Sequence, residues 1–265
     1  MLLAIDVGNT HTFIGLFEGD DILATWRMGT KHRYETADEI GSILLNFLDI
    51  SGYDYLSIDE IAISSVVPNA LEEIKKMSTK YFKCEPFIIN SSIKTGLKIV
   101  YDYPMEVGAD RIANSVAVKE LYGYPAIVAD FGTATTFDII SGDGSYIGGV
   151  ITPGIEISSE ALFKFAAKLS KVDLSWPKTI IGKNTYDGLR AGILFGFLGQ
   201  VDFIIEKIID EEKDDKKDFK PYVIGTGGLS YLLKDKSRYI KIFDDDLTLK
   251  GIKILNDKNK VEKPR

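Results

Sequence analysis

Asp6-Val7-Gly8-Asn9-Thr10-His11-Thr12-Phe13 returns later in the chain as Asp130-Phe131-Gly132-Thr133-Ala134-Thr135-Thr136-Phe137. Aspartate, glycine, threonine and phenylalanine recur at the same places, as D-x-G-x-x-x-T-F. An apolar run precedes each copy (residues 2–5 and 126–129), and another follows it (13–17 and 137–140). The pattern predicts strand, tight polar turn, strand, with a carboxylate where the chain enters the turn. Glycine there lets backbone N–H groups come close to an anion, and the following Asn or Thr side chains add donors. Two such hairpins facing each other suit the phosphates of a nucleotide. The repetition therefore predicts a duplicated fold and a phosphate site together.

Working outward, strands are expected at 2–7, 12–17 and 22–27, with Gly19-Asp20-Asp21 turning between the last two. A helix follows at 36–48, with Ile40, Ile43, Leu44 and Phe47 on one face. Then come a strand at 60–65, a helix from Pro68 to 81 and a strand at 86–90. The order βββαβα predicts a ribonuclease-H-like α/β domain, an antiparallel meander whose sheet continues with parallel strands. The second half repeats it: strands at 126–130, 135–140 and 145–151 around the turn Gly142-Asp143-Gly144, and helices at 153–169 and 184–209. A strand at 222–225, a short helix, a strand at 240–243 and a last helix at 246–254 complete it. The charged run 210–218 reads as a solvated loop and 257–265 as a frayed tail. We expect two domains, 1–115 and 116–265, packed closely around a nucleotide cleft.

Composition narrows the function. The chain has 265 residues, 45% of them hydrophobic, enough for one or two domains with real cores. A formal net charge of −7 argues against a nucleic-acid or membrane-surface binder. A single cysteine, Cys84, excludes an intramolecular disulfide or a cysteine-based metal cage. With only His11 and His32, a histidine-rich metal site is not expected, and both read as ordinary polar residues. Asp6 interrupts the first apolar run too early for a signal peptide, and the uncharged stretch 191–201 is too short to span a bilayer. A soluble, cytoplasmic protein is expected.

No G-x-x-x-x-G-K-[ST] occurs, so a P-loop does not hold the nucleotide. Gly225-Thr226-Gly227-Gly228 suits either close backbone approach to an adenosine or an ordinary strand-to-helix turn. Gly108-Ala109-Asp110-Arg111 opens a helix to about residue 122 that puts Ala113, Ala117 and Leu121 on one face. Asp110 there is a cap or a catalytic carboxylate, and Arg111 a functional or a surface charge. Gly182-Lys183-Asn184-Thr185 precedes Gly188, Gly192 and Gly196, a small-residue stripe among apolar neighbours that points to a subunit interface rather than an internal core helix. Trp26 and Trp176 read as packing residues.

These phrases, with Gly148-Gly149-Val150-Ile151-Thr152-Pro153-Gly154, resemble in order and spacing the type III pantothenate kinases, nearly end to end. That family belongs to the acetate and sugar kinase, heat-shock chaperone and actin superfamily, so the resemblance implies a duplicated actin-like ATPase fold. It also implies ATP-dependent phosphorylation of the primary hydroxyl of pantothenate, the first step towards coenzyme A, by a homodimer that needs potassium or ammonium. By position, Asp6, Val7, Gly8, Asn9, Thr10, His11, Thr12, Phe13 and Thr133 would bind ATP, with Asp6 near the magnesium. Asp130 would ligate potassium; Tyr101, Gly108, Ala109, Asp110, Arg111 and Thr185 would line the pantothenate pocket; Asp110 would be the general base. An Asp at a helix N-terminus is expected to stay ionised, ready to accept a proton. The resemblance leaves two alternatives: a non-catalytic nucleotide-binding regulator on the same fold, or a kinase for another small molecule.

Overall fold

The computed structural model describes residues 1–30, 36–166, 169–215 and 219–260, and His32 lies outside the described residues. The chain opens with the antiparallel meander β1 (Leu2–Val7), β2 (His11–Glu18) and β3 (Asp21–Gly29). α1 (Ala37–Ile50) starts on a capping box, in which the Thr36 hydroxyl accepts from the Glu39 amide and the Glu39 carboxylate accepts from the Thr36 amide. The pair satisfies donors that a first helical turn leaves open. β4 (Glu60–Ser65) lies parallel to β1, α2 (Pro68–Tyr81) begins on a proline whose missing N–H is no loss there, and β5 (Phe87–Ile88) extends the sheet. The strand order is β3-β2-β1-β4-β5.

α3 (Ala109–Leu121) leads into the second meander, β6 (Ala126–Phe131), β7 (Ala134–Ile140) and β8 (Tyr146–Pro153). α4 (Ile155–Phe165), α5 (Thr185–Asp215), β9 (Tyr222–Thr226), β10 (Ile242–Phe243) and α6 (Leu247–Lys258) follow. This sheet runs β10-β9-β6-β7-β8, the first plan read from its other edge. The fold is the expected duplicated ribonuclease-H-like α/β arrangement. Strand alternation decides what each sheet buries. Leu3, Ile5 and Val7 join Ile40, Leu44, Ile74 and Met77 of α1 and α2 in one core. Ile127, Ala129, Phe131 and Phe137 join Leu194, Phe197, Val201 and Ile205 of α5 in the other.

Contacts divide the chain into two compact units. One holds Met1–Leu97, Tyr101–Ala117 and the C-terminal segment from Leu247; the other holds Lys98–Val100 and Val118–Asp246. A boundary at 115/116 assigns α6 to the second domain, whereas the structure returns it to the first sheet. Leu247, Leu249, Ile252 and Leu255 are its buried apolar side chains, and Leu249 lies over the bare backbone of Gly15 on β2. Lys98–Val100 joins the second unit by pairing with Tyr146: the Val100 amide donates to the Tyr146 carbonyl (2.7 Å) and the Tyr146 amide to that of Lys98 (2.8 Å).

The two copies of the opening phrase are not superposable residue for residue. Asp6 pairs across its hairpin with Phe13, and Val7 with Thr12. Asp130 pairs with Thr136, and Phe131 with Thr135. The second turn is one residue tighter, closed by the Gly132 amide donating to Ala134 (3.1 Å) where the Gly8 amide reaches His11 (3.0 Å). A slip of one residue exchanges the faces of a strand. Thr12 therefore points into the core and half-buried Phe13 shares the side of Asp6, with the Arg27 guanidinium 5.1 Å above its ring. In the second copy Phe137 is wholly buried and Thr136 takes the side of Asp130.

Elements differ from the sequence reading at their ends. The run 210–218 is not a loop as far as α5 reaches, to Asp215; Glu211, Glu212 and Lys213 favour helix, and Lys207 pairs with Asp210 at 3.0 Å. Residues 216–218 and 261–265 lie outside the described residues. α6 continues to Lys258 instead of fraying from 257, because Asp257 joins Lys253 (2.8 Å) and Lys260 (2.7 Å). The short helix after Gly228 is a single 3-10 turn, Ser230–Leu232.

Tyr146 and Asp138 are both fully buried, and the Tyr146 hydroxyl donates to Asp138 Oδ1 at 3.0 Å. Removing a donor from a buried carboxylate costs about 1–3 kcal/mol. Tyr146→Phe is expected to lose stability in that range by urea unfolding; an unchanged midpoint contradicts the pairing.

Candidate active site

In the first unit the turn after β1 is built from both sides. Asp6 is half-buried, stands in register with Ser64 of β4, and accepts from the Ser64 hydroxyl at 2.8 Å. A Cβ on Gly8 would stand 3.1 Å from the His11 carbonyl, so glycine keeps the turn tight. Asn9, Thr10 and His11 are exposed at the tip. The base is fixed by the Thr12 and Thr30 hydroxyls, 2.9 Å apart, and by the Thr30 amide donating to the Thr10 carbonyl at 2.8 Å. Sequence reasoning missed Ser64 and Thr30. The signal for Ser64 was available: Ser64-Ser65 ends an apolar strand at the level where Asp6-Val7 ends β1.

Gly108 starts α3, its carbonyl accepting from the Ile112 amide at 3.0 Å. Asp110 stands in the first turn, and its Oδ1 accepts from the Arg111 amide at 2.8 Å. A Cβ on Gly108 would run into that same Oδ1, so glycine makes room for the carboxylate. Burial raises Asp110 above the ordinary carboxylate value of 3.8; the Arg111 amide and guanidinium oppose it. The sequence expectation of a simply ionised helix-start Asp therefore understates desolvation. The reason is that α3 is enclosed by its neighbours: every residue from 111 to 118 is buried, Arg111 included. Arg111 is thus no surface charge, and Leu121 is half-exposed rather than on the buried face. Tyr101, partly exposed, precedes the 3-10 turn Pro104–Glu106 in the same unit.

In the second unit, half-buried Asp130 ends the central strand in register with Thr226 of β9. The Thr226 hydroxyl is buried without a hydrogen-bond partner. Gly227, at φ +90°, leaves no room for a Cβ beside Asp130 Oδ1 and the Phe131 amide. Carboxylate, orphaned hydroxyl and tight turn together form an oxygen-rich cradle that suits a hard cation. Thr133 is half-buried, and its carbonyl accepts from the Gly154 amide at 3.1 Å. Gly154 packs too closely on the Gly132 and Thr133 carbonyls to carry a side chain. Gly225 presses on the Phe243 ring, so Gly225 and Gly227 both serve close packing within the protein.

Asn184 caps α5, its Oδ1 accepting from the Asp187 amide at 2.9 Å, and Thr185 is the exposed first residue of that helix. It lines a groove of about 610 Å³ between α4 and α5. Gly188, Gly192 and Gly196 line this groove, and a Cβ on any of them meets open space. The stripe is therefore not a seat for another helix within its own unit. Among the described residues no helix is long and apolar enough to cross a membrane.

Known proteins are similar to this chain in sequence and in fold. The family model for type III pantothenate kinase matches residues 2–207. A type III pantothenate kinase of Bacillus cytotoxicus is 45% identical over 98% of this chain and 97% of its own length. One from Halalkalibacterium halodurans is also 45% identical, over 98% of this chain and 100% of its own. The solved (R)-2-hydroxyglutaryl-CoA dehydratase component A of Acidaminococcus fermentans shares the fold at 13% identity and a TM-score of 0.57, covering 98% of this chain and 99% of its own. With the duplicated sheets, both Asp–Gly turns and the Asp110 helix in place, this chain belongs to the type III pantothenate kinase family.

Proposed function

We propose that this chain transfers the γ-phosphoryl group of ATP to the primary hydroxyl of pantothenate, giving 4′-phosphopantothenate for coenzyme A synthesis. Identity of 45% across nearly the whole chain to two curated type III pantothenate kinases carries the reading. Asp110 is the general base, and Tyr101, Gly108, Ala109, Arg111 and Thr185 bind pantothenate. The turn from Asp6 to Phe13 and Thr133 bind ATP. Phosphoryl transfer has a loose transition state, so positioning and charge stabilisation do most of the work. Exposed Asn9 and Thr10 offer donors to phosphate oxygens, while the hydroxyl of Ser64 holds the Asp6 carboxylate in place. Asp6 would serve the magnesium that accompanies ATP; one carboxylate would suffice, because magnesium commonly keeps waters and takes phosphate oxygens. Asp130 and the Thr226 hydroxyl would hold potassium or ammonium, whose positive charge would offset phosphate charge.

Asp110 accepts the proton as the substrate oxygen attacks phosphorus. A raised pKa makes it the stronger acceptor once ionised, and glycine at 108 leaves room for its carboxylate. Arg111, buried beside it, orients the base or offsets the substrate carboxylate. The chain works as a cytoplasmic homodimer, and the open groove along Gly188, Gly192 and Gly196 is the surface for the second copy.

ADP release in the presence of pantothenate and MgATP tests this. Turnover is expected in potassium or ammonium and a much lower rate in sodium. Equal rates in all three cations remove the cation site, and ADP release that ignores pantothenate removes the substrate.

Asp110→Asn is expected to lower kcat by about 10²–10⁴-fold while MgATP still binds by calorimetry. Wild-type turnover in that variant contradicts the base assignment. Its stability moves the other way. The folded chain holds the Asp110 proton more tightly than the unfolded chain, so this group lowers stability as pH rises from 3.8 through its raised folded value. By thermal unfolding the variant is expected to exceed wild type at neutral pH, with the gap closing in acid. A variant that is less stable at neutral pH contradicts the desolvated carboxylate.

A further inference from the structure

The helix that carries Asp110 is gripped from the far end of the chain. Asn114 lies one helical turn beyond Asp110, on the same side of α3, and is fully buried. Its Oδ1 accepts from the Thr248 hydroxyl of α6 at 2.8 Å, and Thr248 is itself buried. Three residues on, Gly251 lies so close to α3 that a Cβ would run into the Ala113 carbonyl. Between these two contacts Leu249 fills the space over Gly15 on β2. Gly15 shares its strand face with Phe13, the cross-strand partner of Asp6, so α6 packs on the face that bears Asp6. Polar contacts fasten the other end of α6, where Asn256 Nδ2 donates to Glu60 Oε2 (2.5 Å) and Lys260 pairs with the same carboxylate (3.0 Å).

We propose that Thr248 is a positioning residue for the base: its hydrogen bond to Asn114, backed by the Gly251–Ala113 contact, fixes where along and around its axis α3 sits. The inference rests on the reading of Asp110 as general base. Apolar packing alone lets two helices slide by a fraction of a turn at small cost, whereas a buried hydroxyl–amide pair has one register. The backbone contact at Gly251 sets the distance of approach. Asp110 sits in the first turn of that helix, so a small rotation of α3 moves its carboxylate directly. The matched span of the family model, residues 2–207, stops well short of α6.

The test compares kcat and KM for wild type, Thr248→Val, Thr248→Ser and Asp110→Asn, with thermal unfolding of each. Thr248→Val keeps the shape and deletes the donor. It is expected to fold and to lose about ten- to a hundredfold in kcat, the scale of a misplacement of about 1 Å, with the KM for MgATP unchanged. Thr248→Ser is expected to restore kcat. If Thr248→Val does not fold, Thr248→Ala gives the same comparison. Wild-type kcat in the valine or alanine variant, beside an inactive Asp110→Asn, overturns the positioning role and leaves the base reading intact. Loss of kcat with a parallel rise in the KM for MgATP, not rescued by serine, also overturns it, since that is general loosening. An Asp110→Asn variant with normal turnover overturns the base reading and this inference with it.

Discussion

The structure depends on carboxylates held at the ends of strands paired on both edges. β1 and β6 are each paired on both sides, with an antiparallel neighbour on one edge and a parallel neighbour on the other. Their other residues are almost entirely buried. Asp6 and Asp130 then emerge where the buried run ends and the turn begins. Backbone ladders on both edges leave neither residue the freedom of a surface aspartate. In α/β sheets ligands collect at the carboxyl ends of strands, where backbone groups and polar side chains converge. Rigidity arises in the ladder, and chemistry is placed at its end.

One residue of turn length separates the two copies. The matched letters suggest equivalent hairpins, yet the tighter second turn exchanges strand faces beyond it. Asp6 gains an aromatic neighbour beneath a guanidinium and a serine that donates to it. Asp130 gains threonines on both neighbouring strands and a glycine pressed against its carboxylate. Hydroxyl and carboxylate oxygens suit a cation; exposed amides and an Asn suit phosphate. A duplicated sequence thus yields two chemically different ends.

Much of this was legible from residue patterns. Strand β4 and helix α2 occupy the ranges that apolar runs and Pro68 indicated, since a local period of two or a proline start needs no tertiary information. The duplicated strand order followed from the repeated phrase. What escaped was set by distant contacts. Asp6 and Ser64 meet only through parallel pairing, and Thr12 meets Thr30 only across the third strand. The hairpin slip cannot be read from letters that align perfectly. The return of α6 to the first sheet depends on Gly15 and Gly251, glycines whose role appears only when another backbone or side chain lies against them. The desolvation that raises Asp110 was not legible because helix-end electrostatics is local, whereas burial comes from the whole of its surroundings.

The proposed function rests on three carboxylates held in different ways: Asp6 by a hydroxyl donor, Asp130 in register with the orphaned Thr226 hydroxyl, Asp110 desolvated at a helix start with a backbone donor. The central claim, that these serve phosphoryl transfer to one hydroxyl, is tested most directly by product identification. Phosphorus NMR and mass spectrometry of pantothenate incubated with enzyme, MgATP and potassium are expected to show a phosphomonoester on the primary hydroxyl, one for each ADP formed. ADP accompanied by inorganic phosphate and unmodified pantothenate would contradict it.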